Sequence, residues 1–377
     1  MSKLPNTTTI FTTMSALAQK TRAMNLSQGF PDFPAPEPLT EALARATRSG
    51  LNQYAPMAGL SSLREAIAAQ LQRYRQVSVD PLDEITVVPG ATESIFCAVM
   101  AMVKSGDDVI VLDPHYDSYV PAITLAGGRP VHVPLLPGSF LPDWQAIEAA
   151  VTPKTRMIVV NSPHNPTGAV WTDADLRKLE QLACEHQLWV CSDEVYEFLV
   201  YDELEHRSVL QYPALRARSF AHFSFGKTFS VTGWKTGYCV APPELTRELR
   251  KIHQFVTFVA ATPIQAALAQ FMQEHPTYPD LLRAQYQARR DRFCSALAQS
   301  RFQLTPSQGT YFQLLDYSAI CEDSDTALSI EWTESRGIAS IPVSVFYAQP
   351  PAQTLLRFCF AKTDETLDAA TDILCKI

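Results

Sequence analysis

The sequence predicts an α/β protein: a large domain with a mostly parallel sheet flanked by helices, plus a smaller α+β domain. Three observations predict it. Short apolar runs alternate with helical segments from residue 84 to residue 242. The runs are apolar almost throughout, not at every second position, which marks strands covered on both faces. The alternation fades near residue 270, and a long helical stretch with separated strand-like pieces follows.

The elements follow in order. Residues 1–35 are rich in Thr and Pro and run into SQGFPDFPAP, which predicts an extended, turn-rich arm without a helix. PLTEALARATRSG reads as a helix stopping at Gly50. SSLREAIAAQLQRYRQ is amphipathic, with Ser61 or Ser62 as cap and Leu63, Ala66, Ile67, Gln70, Leu71 and Tyr74 at helical spacing. EITVVP is a strand, and ATESIFCAVMAMVKSG a helix ending at Gly106. DDVIVLDP and RMIVVNSP are strands, and TDADLRKLEQLACEH is a helix that Thr172 can cap. LWVCSDE, SFAHFSF and TGYCVAP complete the ladder. Beyond it come the helix LLRAQYQARRDRFCSALAQS and the strand-like GTYFQLLD and TLLRFCF. The expected organisation is an N-terminal arm with part of the small domain over 1–40, a large domain over 41–275, and a C-terminal small domain over 276–377. No internal repeat or low-complexity segment interrupts it.

Bulk composition excludes several classes. Among 377 residues, 46% are hydrophobic and 19% charged, a globular balance far from disorder. The net charge of −8 argues against a nucleic-acid surface, which needs a basic stripe. The eight cysteines form no CxxC pair and match no metal-ligand spacing, so no metal is expected; they read as small buried hydrophobes of a reduced compartment. The first twenty residues lack a continuous apolar core, and no run of about 18 apolar residues occurs, so neither a secretory signal nor a membrane span is expected. A cytoplasmic location is the expectation.

In an open α/β sheet, ligands sit beyond the carboxyl ends of the strands. EITVVP is followed by Gly90, Ala91 and Thr92 at a helix start, where free N–H groups and the Thr92 hydroxyl suit a phosphate. DDVIVLDP leads to Tyr116 and Tyr119, and a tyrosine ring there can stack on a planar group. NSPHNPTG, residues 161–168, gives a proline-stiffened loop with outward amides. LWVC ends in Asp193 and Glu194, and a carboxylate buried there needs a cationic partner. SFGKTFSVTGWKTGY carries two lysines, Lys227 and Lys235. Together these suit one ligand. In that reading Asp193 would face a pyridinium nitrogen, Thr92 and Ser224 would hold a phosphate, Lys227 would carry a Schiff base, and Lys235 would neutralise the phosphate from the far side.

The strings NLSQGFPDFPAP, NQYAPMAGLSSLREAI, GATES, NSPHNPTG, SDEVYE, SFGKTFSVTGWKTGY, IPVSVF and RFCFAK run nearly end to end. In them the chain resembles the class I/II, fold-type I aminotransferases that use pyridoxal 5'-phosphate, and is most similar to the methionine and kynurenine (glutamine-type) members. The resemblance implies a seven-stranded-type sheet in the large domain. It places the covalent attachment on Lys227, the ring-nitrogen carboxylate on Asp193, and contacts to the phenolic oxygen on Asn165 and Tyr196. Tyr116 becomes the stacking ring. Ala91, Thr92, Ser224 and Lys235 become phosphate contacts, joined by Tyr54 from the partner subunit of a homodimer with shared active sites. The substrate carboxylate falls on Arg357, Asn161 and the backbone of Gly29, and Phe11, Phe30, Phe258 and Phe346 line the side-chain pocket. At Phe11, kynurenine-type members often carry tryptophan, so the chain departs from them there.

The resemblance also implies the reaction: an apolar, aromatic or sulfur-containing L-amino acid gives its amino group to a 2-oxo acid with ping-pong kinetics. Alternation in TLLRFCF independently points Arg357 away from Leu356 and Phe358, and a guanidinium reads a carboxylate bidentately. A C–S β-lyase on the same scaffold is the alternative. A dehydrogenase is disfavoured because no GxGxxG follows a strand.

Overall fold

The computed structural model describes residues 8–377. The first seven residues of the expected arm lie outside the described residues. The rest of the arm departs from expectation, because Ile10–Thr21 is a helix. That stretch has no proline, and Thr9 caps it by accepting from the Thr12 N–H. Ile10, Phe11, Met14, Leu17 and Ala18 recur at helical spacing, and Met14 and Ala18 are buried. The threonines that suggested an extended chain, Thr12 and Thr13, lie on its exposed side.

The strands, in chain order, are β1 (Met24–Asn25), β2 (Ile85–Val88), β3 (Asp108–Asp113), β4 (Arg129–Pro134), β5 (Thr155–Asn161) and β6 (Trp189–Asp193). Then come β7 (Ser219–Ser224), β8 (Gly237–Val240), β9 (Phe312–Asp316), β10 (Ile338–Ala339), β11 (Ile341–Pro342) and β12 (Leu355–Cys359). A seven-stranded sheet has the order β2-β8-β7-β6-β5-β3-β4. Its neighbours are parallel except that β8 runs antiparallel to both β2 and β7. A three-stranded antiparallel sheet, β11-β12-β9, and the parallel pair β1-β10 lie apart from it. The expected α/β class and mostly parallel sheet are what the chain forms.

Both faces of the large sheet are covered, as continuous apolar strands require. Ile110, Leu112, Ile158, Val160 and Val190 point into one core cluster, and Val109, Val111, Met157, Val159 and Cys191 into another. The helix Glu37–Arg48 spans the expected boundary at residue 40; its Leu39 and Ala42 join the first of these clusters. Leu315, Leu356 and Phe358 of the small sheet join a separate cluster with Phe293 and Trp332.

Two local expectations shift. Ser61 and Ser62 do not cap the helix Ser61–Arg75; Leu60 sits at the N-cap, with its N–H given to the Gln265 side chain. The helix Ala91–Met102 ends at Val103, short of Gly106. Thr172 does cap Asp173–Glu185, in a reciprocal pair with Asp175. No helix among the described residues is long and apolar enough to cross a membrane.

The topology gathers the site. From β3 the chain steps outward to β4, then returns to the other side of β3 as β5 and continues to β6 and β7. That reversal opens a crevice at the carboxyl ends of β3 and β5. Because β8 runs opposite to its neighbours, its beginning lies at the carboxyl ends of β2 and β7. Residues just before Gly237 therefore reach the same edge as those just after Val88 and Ser224.

Candidate active site

Each strand end delivers one part of the site. After β2, Gly90 turns at φ 85° into the helix Ala91–Met102. A Cβ on Gly90 would lie 3.5 Å from Lys235 Nζ, so the ammonium stands over the helix start. Ser224 closes β7 on the same side. Gly237 permits this approach: a Cβ there would lie 2.3 Å from the Phe223 carbonyl oxygen and 3.2 Å from the Ala91 nitrogen. An ammonium, free helix N–H groups and two hydroxyls, Thr92 and Ser224, thus converge as a dianion requires.

After β6, Asp193 is 5% exposed. Its Oδ2 accepts from the Tyr119 hydroxyl at 2.6 Å. Burial raises the carboxyl to about 6, against the pull of that hydrogen bond. A buried acid of this kind is held ionised by a cation placed opposite it. Tyr116, whose ring lies 5.9 Å from that of Tyr119, is held up at about 12 by burial and is a neutral phenol at working pH.

Lys227, in the short helix Phe225–Thr228, points its amine at the floor of the crevice. Burial draws that amine down to about 8, and the Lys235 ammonium and Arg357 guanidinium push the same way. Its Nζ donates to the Tyr311 hydroxyl at 2.7 Å and lies 5.7 Å from the Tyr196 ring centre.

After β5, Asn161 sets the NSPHNPTG loop: its Nδ2 donates to the Asp193 carbonyl at 2.8 Å and its Oδ1 accepts the Asn165 N–H at 2.8 Å. Asn165 Oδ1 accepts from Arg357 Nη1 at 2.7 Å, while Arg357 Nη2 donates to the Ser27 carbonyl at 3.0 Å. Arg357 is 1% exposed, its Nε has no hydrogen-bond partner among the described residues, and burial lowers its guanidinium to about 10. As alternation in β12 predicts, Leu356 and Phe358 enter the core, and Arg357 turns to the site. Three rings collar the guanidinium, Phe312 at 3.8 Å and Phe11 and Phe346 at 5.3 Å each.

A cavity of about 110 Å³ joins these parts. Ala91, Thr92, Tyr116, Asn161, Asn165, Asp193, Tyr196, Ser224, Lys227 and Lys235 line it. Arg357 reaches its wall through Asn165. Of the expected site residues, Tyr54, Phe258, Phe30, Phe11, Phe346 and Gly29 do not line it; Phe11 and Phe346 stand instead around the Arg357 guanidinium. Tyr54 is 83% exposed and lies edge-on to Phe258 at 5.5 Å, and Phe30 covers Lys362 Nζ at 4.7 Å. Sequence reasoning missed Tyr311 and Phe312, which GTYF showed only as strand residues, and the Ser27 carbonyl, which has no side-chain signal.

The arrangement is that of an enzyme acting on amino acids through a bound aldehyde cofactor. The family profile Aminotransferase class I and II matches residues 21–374, and the chain belongs to that family. The chain is 48% identical over 374 residues to the methionine aminotransferase of Escherichia coli (strain K12), covering 99% of this chain and 97% of that one. It is 35% identical over 394 residues to kynurenine–oxoglutarate transaminase 3 of Rattus norvegicus, covering 97% and 87%. The crystal structure of YbdL from Escherichia coli, described with a methionine aminotransferase function, superposes with TM-score 0.97 at 47% identity, covering 100% of this chain and 99% of that one. The chain is a pyridoxal-phosphate-dependent aminotransferase. The residues present fit the cofactor: a pKa-lowered amine, a buried carboxyl whose charge a ring cation would stabilise, and a helix start crowned by a lysine line one cavity.

Proposed function

We propose that this aminotransferase takes the amino group from an L-amino acid with an apolar or sulfur-containing side chain, methionine foremost. It passes the group to a 2-oxo acid by a ping-pong route. The observation that carries the reading is the aromatic collar on a buried arginine: Arg357, with Phe11, Phe312 and Phe346 around it. The guanidinium, whose Nε has no partner among the described residues, suits the substrate α-carboxylate. The rings then offer the side chain an apolar surface and no cation.

Lys227 would hold the cofactor, Asp193 its ring nitrogen, Tyr196 and Asn165 its phenolic oxygen, and Tyr116 its ring face. Ala91, Thr92, Ser224 and Lys235 would hold its phosphate. When bound, the cofactor supplies an electron sink for the bond pair released at the substrate α-carbon. Lys227, once free, moves the proton at its Nζ; an amine titrating near 8 is basic enough to take it and neutral often enough to do so. Arg357 and Asn161, with the Gly29 backbone, orient the substrate so that this proton faces the amine. The exposed pair Tyr54 and Phe258 would face the partner's site in a homodimer. Phe30, exposed beside Lys362, would line the side-chain pocket. The eight free cysteines fit a reducing compartment, the cytoplasm.

The test is a panel of amino donors against a fixed 2-oxo acid. Methionine, phenylalanine and glutamine are expected to outpace aspartate in kcat/KM at least tenfold. Aspartate turning over faster than methionine would contradict the reading.

A further inference from the structure

Tyr311 is fully buried; its hydroxyl is close-bonded to two groups, and the Tyr196 hydroxyl faces it as well. The Tyr311 oxygen lies 2.7 Å from Lys227 Nζ and 2.6 Å from the Gly29 carbonyl oxygen. A phenol has one proton, and a carbonyl can only accept, so that proton belongs to Gly29. Toward Lys227 the oxygen can then only accept, and the amine must aim one N–H at it. This fixes the rotation of the amine about its last bond. We propose that Tyr311 is a positioning residue that holds the free Lys227 amine in one orientation and ties it to the Gly29 peptide. The proposal rests on the reading of Lys227 as the cofactor-bearing lysine.

The surroundings are built for a fixed phenol. The Tyr311 ring stacks on Tyr286 at 6.0 Å and meets Phe312 and Tyr196 edge-on at 4.9 and 5.2 Å. Burial lifts its hydroxyl well above the ordinary tyrosine range, so it stays protonated and keeps its bond to Gly29. Glycine at position 29 lets these rings approach: a Cβ there would lie 2.7 Å from Phe312 Cζ and 3.1 Å from Tyr311 Cε2, so the Phe312 ring would have to shift. Thus one chain of hydrogen bonds joins the lysine, the phenol and the segment Ser27–Gly29, whose Ser27 carbonyl also holds Arg357. The titratable groups facing the amine are Lys235, Asp193, Arg357, Cys359 and Tyr196; among the described residues, Tyr311 is the one hydrogen-bonded to it.

Covalent loading of the cofactor-free chain with pyridoxal phosphate reads the amine directly, without turnover. The neutral amine is the nucleophile, so the loading rate of the wild type should rise with pH through a midpoint near 8. Tyr311→Phe removes an acceptor that favours the ammonium form more than the amine. Its midpoint should fall by about 0.5–1 pH unit, and its limiting rate at high pH should drop several-fold. Should Tyr311→Phe fail to fold, 3-fluorotyrosine at position 311 keeps the shape and weakens the acceptor, and a shift in the same direction is expected. A variant with unchanged midpoint and unchanged limiting rate would overturn the positioning role. Wild type that does not load, or loads on a lysine other than Lys227, would instead overturn the cofactor reading, and wild type alone reveals that.

Discussion

At the scale of single residues, the site works by displacing titrations from their ordinary positions. Asp193 shows the cost. Its carboxyl titrates near 6 in the folded chain and near 3.8 in its absence, so the fold binds its proton more tightly than the unfolded chain does. The stabilising effect is full below 3.8 and is lost as pH rises through 6, leaving a buried charge at neutrality. At pH 7.5 the cofactor-free chain therefore carries a penalty on the order of 2–3 kcal/mol at this residue. Asp193→Asn should raise the Tm of the cofactor-free enzyme at pH 7.5, raise it less at pH 4.5, and still remove most activity. Thermal melts at the two pH values check this, and a lower Tm at pH 7.5 would contradict it. Asp193 was legible in the sequence because a carboxylate that closes an apolar strand is costly to bury unless a cation meets it. Tyr311 was not legible: a tyrosine beside a strand is ordinary, and only the fold brings it to a lysine 84 positions earlier.

At the scale of elements, β8 matters most. As the antiparallel member of the sheet, it brings Lys235 to the edge where the other strands end. Gly237 lets it do so, since any side chain there meets the Phe223 carbonyl. Gly237→Ala should lower stability by at least about 1–3 kcal/mol through overpacking, and weaken cofactor affinity by shifting Lys235. Equilibrium dialysis with pyridoxal phosphate measures the second effect; unchanged affinity would free Lys235 from the phosphate role. The six buried strands of the large sheet were legible as continuous apolar runs. The seventh, β4, was not. It lies at the sheet edge, begins at exposed Arg129, and holds Pro130 and Pro134, residues a central strand would not tolerate. The N-terminal helix was hidden by neighbouring prolines, although its apolar spacing was present in the sequence.

At the scale of the whole molecule, the exposed pair Tyr54 and Phe258 does not line its own chain's cavity, and in the proposed homodimer it would complete the partner's. Subunit mixing tests this. Lys227→Ala and Tyr54→Ala chains, each inactive or weak alone, should regain activity when co-assembled, because one site then pairs an intact Lys227 with an intact partner tyrosine. No recovery in verified mixed dimers would assign Tyr54 to its own chain. All of these roles depend on where the cofactor is attached. The most direct measurement is borohydride reduction of the loaded enzyme, followed by mass spectrometry of its peptides. The account predicts a single pyridoxyl group on Lys227, whereas a label on any other lysine, or none, would contradict it.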